Sequence, residues 1–226
     1  MSHVIIENLS KDYQVDSQMI PAVSGASAVI ERGRFATIVG HSGSGKTTLL
    51  SLVGGMVRPT AGRVLFNGTD IYQWDSDRLS EYRCEKIGFM FQSASLLPIL
   101  TAKENLLLPV AFRSTPAADG GHEQRAENLL RSVGLGDKIN SYPAQLSGGQ
   151  QRRVAIARAF MNGPELILAD EPTGDLDEDT EEEMMQFFLR MNAEQKTTFL
   201  IVTHNTELAS RASLRFRMDT GKLLTV

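Results

Sequence analysis

Strand-length apolar runs, separated by stretches with helical spacing, dominate the hydrophobic pattern of this 226-residue chain. Val4–Asn8, Ala26–Ile30 and Phe35–Val39 predict three strands, the second closed by the turn Glu31-Arg32-Gly33 and the third running into a glycine-rich segment. Lys46–Leu52 predicts a helix. Gly54-Gly55 and Arg58-Pro59-Thr60-Ala61-Gly62 stop it, after which Arg63–Phe66 returns as a strand and Asn67-Gly68 makes a tight turn. Antiparallel pieces therefore flank the glycine-rich segment. Ser76–Cys84 is helix-like and charged, Ile87–Phe91 is an apolar strand, and Leu96-Leu97-Pro98 breaks the chain. The amphipathic stretch Thr101–Leu108 opens a block that reads as helical to about Tyr142, with a loop at Ser114–Gly121 and apolar residues at helical spacing through Glu123–Val133. Leu166–Ala169 is an unbroken apolar strand ending in Asp170-Glu171. Glu181–Met191, Thr198–Val202, Asn205–Ser210 and a hairpin-like C-terminus then predict helix, strand, helix and two edge strands.

Chemistry enters at the glycine-rich segment. Gly40-His41-Ser42-Gly43-Ser44-Gly45-Lys46-Thr47-Thr48 matches the phosphate-binding pattern G-x-x-x-x-G-K-[ST] and sits between a buried strand and a helix, where that pattern has to sit. The glycines let consecutive N–H groups turn inward as an anion nest, the helix adds the positive end of its dipole, and Lys46 adds a full charge. Thr47 offers a hydroxyl to Mg²⁺ and Thr48 lies near the α-phosphate, so the expected ligand is a nucleoside triphosphate with Mg²⁺. Asp170, delivered at the carboxyl end of its strand, is placed to hold Mg²⁺ through water, and the adjacent Glu171 projects differently and can polarise an attacking water. Leu146-Ser147-Gly148-Gly149-Gln150 opens a helix that runs to Ala159 and forms a second anion-binding N-terminus. A single domain has little use for two such sites unless the second serves a nucleotide on a partner subunit. The acids of Asp175–Glu183 lack the glycine and terminal glutamate of a calcium loop and instead oppose the dipole of a helix's first turn. His3, His41 and His122 have no ligand spacing, so no zinc site is assigned.

The middle block lacks β-branched alternation, so residues from about 93 to 160 read as a helical insertion. The expected fold is α/β: a P-loop NTPase core with a mixed sheet, an antiparallel β subdomain and the inserted α-helical subdomain, in a single domain spanning residues 1–226. A net charge of −4 without clustered Lys and Arg argues against a nucleic-acid partner. The one cysteine, Cys84, precludes an internal disulfide and fits a reducing, cytosolic compartment, with an inert, partly buried thiol as the expectation. No apolar stretch reaches the ~20 residues that span a bilayer, and the N-terminus lacks the layout of a signal peptide, so work at a membrane would need another chain to hold this one there.

Gly40–Thr47, Gln92, Leu146–Gln150, Asp170-Glu171, Asp175–Asp177 and His204 together resemble the nucleotide-binding subunit of ABC transporters, in that family's order and over nearly the whole chain. The resemblance implies ATP as the nucleotide and a head-to-tail dimer with a second ATPase subunit, a homodimer being the expected pairing and a dimer with a different chain left open. Each ATP is then held between one phosphate loop and the other subunit's Ser147, Gly148, Gly149 and Gln150. It implies further that Tyr13 stacks on adenine and that Gln92 senses Mg²⁺ and the water while its loop touches the transporter. His204 would bond the γ-phosphate and orient Glu171, and Asp175-Leu176-Asp177 would cross the interface beside the partner's site. Thr173-Gly174 departs from the Ser-Ala of many importers. With Gly54-Gly55, Leu96-Leu97-Pro98, Glu104-Asn105 and Leu108-Pro109, it narrows the resemblance to the macrolide-exporter and lipoprotein-release type. That type implies an ATPase on the cytoplasmic face of the inner membrane, attached only through a separate transmembrane permease that it powers. A membrane signalling complex that transports nothing would share every catalytic residue. Soluble ABC ATPases of DNA repair or translation carry a coiled-coil insertion or two tandem domains, and this chain has neither. Cargo and direction stay open.

Overall fold

The computed structural model describes residues 2–113, 121–174 and 176–226; Asp175 and nearly all of the expected loop Ser114–Gly121 lie outside the described residues. The chain opens with a long antiparallel hairpin, β1 (Ser2–Val15) and β2 (Gln18–Glu31), then places β3 (Phe35–Val39) and α1 (Lys46–Val53) on either side of the glycine-rich segment. β4 (Ala61–Phe66) and β5 (Thr69–Asp70) complete an antiparallel four-stranded sheet in the order β2-β1-β4-β5. α2 (Ser76–Glu81) and a π-helical turn, Tyr82–Lys86, lead into β6 (Ile87–Met90). Between β6 and β7 (Leu166–Asp170) the chain builds α3 (Ala102–Ala111), α4 (His122–Ser132) and α5 (Gly148–Ala159), which pack on one another. α6 (Glu178–Gln195), β8 (Thr198–Val202), α7 (Thr206–Ser210), β9 (Leu214–Asp219) and β10 (Lys222–Thr225) follow.

The second sheet has six strands in the order β10-β9-β3-β8-β7-β6, parallel from β9 to β6 with β10 antiparallel at its edge. Every residue of β7 and β8 is buried, as expected for strands covered on both faces. Their alternate side chains feed two cores. Leu166, Leu168, Leu200 and Val202 join Leu49, Leu50 and the antiparallel sheet, whereas Ile167, Ala169, Phe199 and Ile201 join α3–α6. The sheet thus holds the ends of β3, β7 and β8 in one rigid row, where ligands of open parallel sheets bind.

Several expected elements change. β1 and β2 are far longer than Val4–Asn8 and Ala26–Ile30, because main-chain pairing with several register shifts carries the hairpin through residues that show no alternation. Tyr13 therefore lies within β1 and not after it. The helix expected at Ser76–Cys84 ends at Glu81 and widens into the π turn, and the helix that opens the middle block runs from Ala102 through Pro109 to Ala111. Residues 133–142 are turns instead of helix, since Gly134 adopts φ +73 and ends α4. Only β10 of the C-terminal hairpin is an edge strand: β9 pairs with β3, its Phe216 and Met218 buried beneath an exposed face of Arg215 and Arg217.

Candidate functional site

An open cleft of about 600 Å³ lies at the carboxyl ends of β3 and β7. Gly40, Ser42, Gly43, Gly45, Lys46, Thr47 and Thr48 line it with Tyr13, Gln92, Asp170, Glu171 and His204. Its loop is built by close main-chain approach. A Cβ on Gly40 would sit 2.3 Å from Met218 O, and one on Gly45 would sit 2.0 Å from Ala22 O, so only glycine fits either position. Gly45 also begins α1 without any side-chain cap, which leaves the amides of the first turn to an incoming anion. Lys46 Nζ donates to Gly40 O and His41 O, both at 2.8 Å, and so lies over the loop. His41 and Ser44 do not line the cleft; the Ser44 side chain is buried, with Oγ unpartnered among the described residues.

The acidic side of the cleft comes from the next strands of the sheet. Asp170 Oδ2 accepts a 2.6 Å hydrogen bond from Thr47 Oγ1. Glu171 follows with φ +49, a left-handed conformation. Glu171 Oε2 accepts the His204 backbone N–H at 3.2 Å and pairs with His204 Nδ1 at 2.9 Å. Glu181 fastens the loops behind this pair, accepting from Thr173 Oγ1 at 2.7 Å and Asn205 Nδ2 at 2.8 Å. Hard oxygen donors face the phosphate loop here: the Thr47 hydroxyl, the Asp170 carboxylate and the Gln92 amide suit Mg²⁺. Among the described residues no cluster of three or more His, Cys, Asp or Glu is placed to hold a metal, so such an ion would draw its other ligands from phosphate and water.

Ser147, Gly148, Gly149 and Gln150 do not line the cleft. They form the start of α5, where Ser147 Oγ accepts from Gln150 N at 3.2 Å and Gln150 Oε1 accepts from Ser147 N at 2.9 Å, and Ser147 and Gly148 are exposed. Two residues at the site escaped the sequence reading. Ala22 acts through a main-chain oxygen, which no side-chain pattern signals. Arg152 is buried and bonds the main chain beside Gln92 and Glu171; its one signal is a spacing of four from Ile156 and eight from Phe160, which puts it on an apolar helix face.

A family model described as ABC transporter matches residues 23–174, more than half of the chain. The chain belongs to the ABC transporter family. This ABC cassette is 40% identical over 221 residues, 98% of its length, to the macrolide export ATP-binding/permease protein MacB of Syntrophobacter fumaroxidans, of which it spans 31%. The chain thus covers about a third of that relative's length. It is also 40% identical to the lipoprotein-releasing system ATP-binding protein LolD of Syntrophus aciditrophicus, over 97% of this chain and 98% of that one. A solved dimeric ATP-binding cassette, in a post-hydrolysis state bound to ADP and Pi, matches with a TM-score of 0.92 and 39% identity over 97% of this chain and 96% of that one. The ABC cassette is therefore a nucleotide-binding ATPase domain with the P-loop α/β fold of its family.

Proposed function

We propose that this cassette is one half of a head-to-tail pair of identical subunits that closes over two ATP molecules, and that the opening after hydrolysis drives a separate transmembrane permease. One observation carries the reading: within a single chain the two anion-binding helix ends are apart. The phosphate loop shares its cleft with Asp170, Glu171 and His204, whereas Ser147 and Gly148 are exposed outside it. A second copy, turned head to tail, brings its Ser147, Gly148, Gly149 and Gln150 to the γ-phosphate. The dimeric arrangement of a 39% identical cassette supports this pairing.

In the closed site Lys46 and the loop amides take the phosphate oxygens, Thr48 lies by the α-phosphate, and Tyr13 stacks on the base. Thr47 directly, Asp170 through water and Gln92 at the edge would hold Mg²⁺, which when bound offsets charge on the β- and γ-phosphates. Glu171 orients the attacking water and accepts its proton, and His204 fixes the Glu171 carboxylate while reaching the γ-phosphate. Because the site is complete only in the closed pair, ATP favours closure and hydrolysis releases it. Relatives named for macrolide export and lipoprotein release, one of them an ATP-binding/permease protein, support a permease partner; the cassette would sit on the cytoplasmic face of the inner membrane, held by that partner. Among the described residues no helix is long and apolar enough to cross a membrane.

Glu171→Gln tests the reading. The variant is expected to bind ATP as the wild type does, to lose about 10²–10⁴-fold in turnover, and to accumulate as an ATP-dependent dimer seen by light scattering. Wild-type turnover in this variant, or no ATP-dependent dimer, overturns the proposal.

A further inference from the structure

Arg152 lies in the second turn of α5 and is only 4% exposed. Its guanidinium donates to main-chain oxygens of two separate loops. Nη1 reaches Phe91 O at 2.8 Å and also Gln92 O, Nε reaches Pro172 O at 2.8 Å, and Nη2 reaches Glu171 O. These loops leave the carboxyl ends of β6 and β7 and carry Gln92 and Glu171 into the cleft. A planar fork with fixed donor directions sets the two loops relative to each other as a single flexible cation could not. Glu171 needs that support. Its φ of +49 is a conformation that a non-glycine residue keeps only where the surroundings impose it, and here the bond from Arg152 on one side and from Glu171 N to Val202 O at 2.9 Å on the other impose it. The helix that holds Arg152 also begins at Ser147, whose hydroxyl is tied to Gln150 N, so one rigid turn separates the two functions.

We propose that Arg152 is a positioning residue linking the two ATP sites of the dimer: the site where this chain supplies Gln92 and Glu171, and the site where it supplies Ser147. The inference rests on the head-to-tail reading above. Engagement of Ser147 with the γ-phosphate across the interface displaces α5, and Arg152 carries that displacement to the backbone of Glu171 and Gln92 in the chain's own site. Each carboxylate then reaches its working position when its own signature helix is engaged, which makes the two sites hydrolyse cooperatively.

The test compares the full chain with Arg152→Gln, which loses the fork, and Arg152→Lys, which keeps the charge but can hold only one loop. Measured are ATP turnover against ATP concentration, binding of a fluorescent ATP analogue, and ATP-dependent dimerisation in the Glu171→Gln background. The wild type is expected to be cooperative, with a Hill coefficient above about 1. Both variants should bind the analogue within about threefold of the wild type, lose about 100-fold in kcat, still dimerise in the Glu171→Gln background, and show a Hill coefficient of about 1. Variants that keep wild-type kcat and cooperativity overturn the role of Arg152 alone. A fall in kcat with cooperativity unchanged makes Arg152 a local prop for Glu171 and overturns the link, as does loss of analogue binding in both variants. If Glu171→Gln with Arg152 unchanged fails to dimerise with ATP and the wild type shows no cooperativity, the head-to-tail reading itself is overturned.

Discussion

Thr47 Oγ1 donates a 2.6 Å hydrogen bond to Asp170 Oδ2, joining the first turn of α1 to the carboxyl end of β7 across 123 residues of sequence. The two oxygens are thereby fixed side by side on rigid elements, the arrangement a small cation with strict octahedral demands requires. Asp170→Asn keeps an acceptor for Thr47 but removes the charge. Half-saturation by Mg²⁺ at fixed ATP is expected to rise about 10–100-fold, the range found when an outer-shell partner of a metal is lost. A turnover titration with Mg²⁺ checks this, and an unchanged curve removes Asp170 from the metal's surroundings.

Gly45 and Gly43 share a left-handed backbone, with φ of +103 and +76, yet differ in their surroundings. A Cβ on Gly45 meets Ala22 O at 2.0 Å and Met218 Cε at 2.9 Å, while one on Gly43 meets nothing within 4 Å. Gly43→Ala should therefore cost only the conformational term, about 1–2 kcal/mol. Gly45→Ala must also displace β2 or the loop itself, so it is expected to abolish nucleotide binding in calorimetry and to lower the melting temperature further than Gly43→Ala. Equal effects would show that the approach of β2 does not shape the loop.

The contrast between those glycines also shows how far the sequence could be read. The phosphate loop and the strand ending in Asp170 are contiguous runs, so the places of Gly40, Gly45, Lys46, Thr47 and Asp170 in the cleft were legible, whereas those of His41 and Ser44, which turn out of it, depend on loop geometry that the pattern does not carry. Ala22 was not, because it contributes only a carbonyl, and β2 reaches it through residues without alternating polarity. Arg152 and Arg153 read alike in sequence. Which one turns inward depends on helix register, and the carbonyls that hold Arg152 belong to residues up to 61 positions away. β9 shows polar alternation typical of an edge strand, yet β10 covers its outer edge, a pairing that polarity alone does not encode.

Asn105 is fully buried in α3 and closes the loop before it. Its Oδ1 accepts from Leu97 N at 2.9 Å, and Nδ2 donates to Leu97 O, Leu100 O and Thr101 O at 3.0–3.2 Å. Asn105→Leu fills the space but strands these main-chain groups, so a loss of about 1–3 kcal/mol is expected in chemical denaturation. Amide exchange should quicken at Leu97, whose N–H loses its acceptor. Asn105 lies outside the nucleotide cleft, so affinity for ATP should hold; a fall in affinity comparable to the loss of stability would contradict a purely local role.

His3 sets a pH limit on stability far from the cleft. Its ring is buried, with Nδ1 2.6 Å from Thr198 Oγ1 and Nε2 3.6 Å from Glu165 Oε2. Burial holds its pKa below the ordinary 6.5, the Arg32 cation pushes the same way, and together they outweigh the opposing pull of Glu165. The unfolded chain therefore takes up this proton more readily than the folded one. Stability is unaffected by the group above about pH 6.5 and falls as pH drops below it, until the folded imidazole also titrates. The slope contributed is at most about 1.4 kcal/mol per pH unit. His3→Gln can still bond Thr198 but cannot titrate, so its unfolding free energy between about pH 7.5 and pH 5.5 should decline less steeply than that of the wild type. Parallel curves for the two proteins would assign the acid sensitivity to carboxylates instead, because only a group that changes protonation on unfolding can bend the profile.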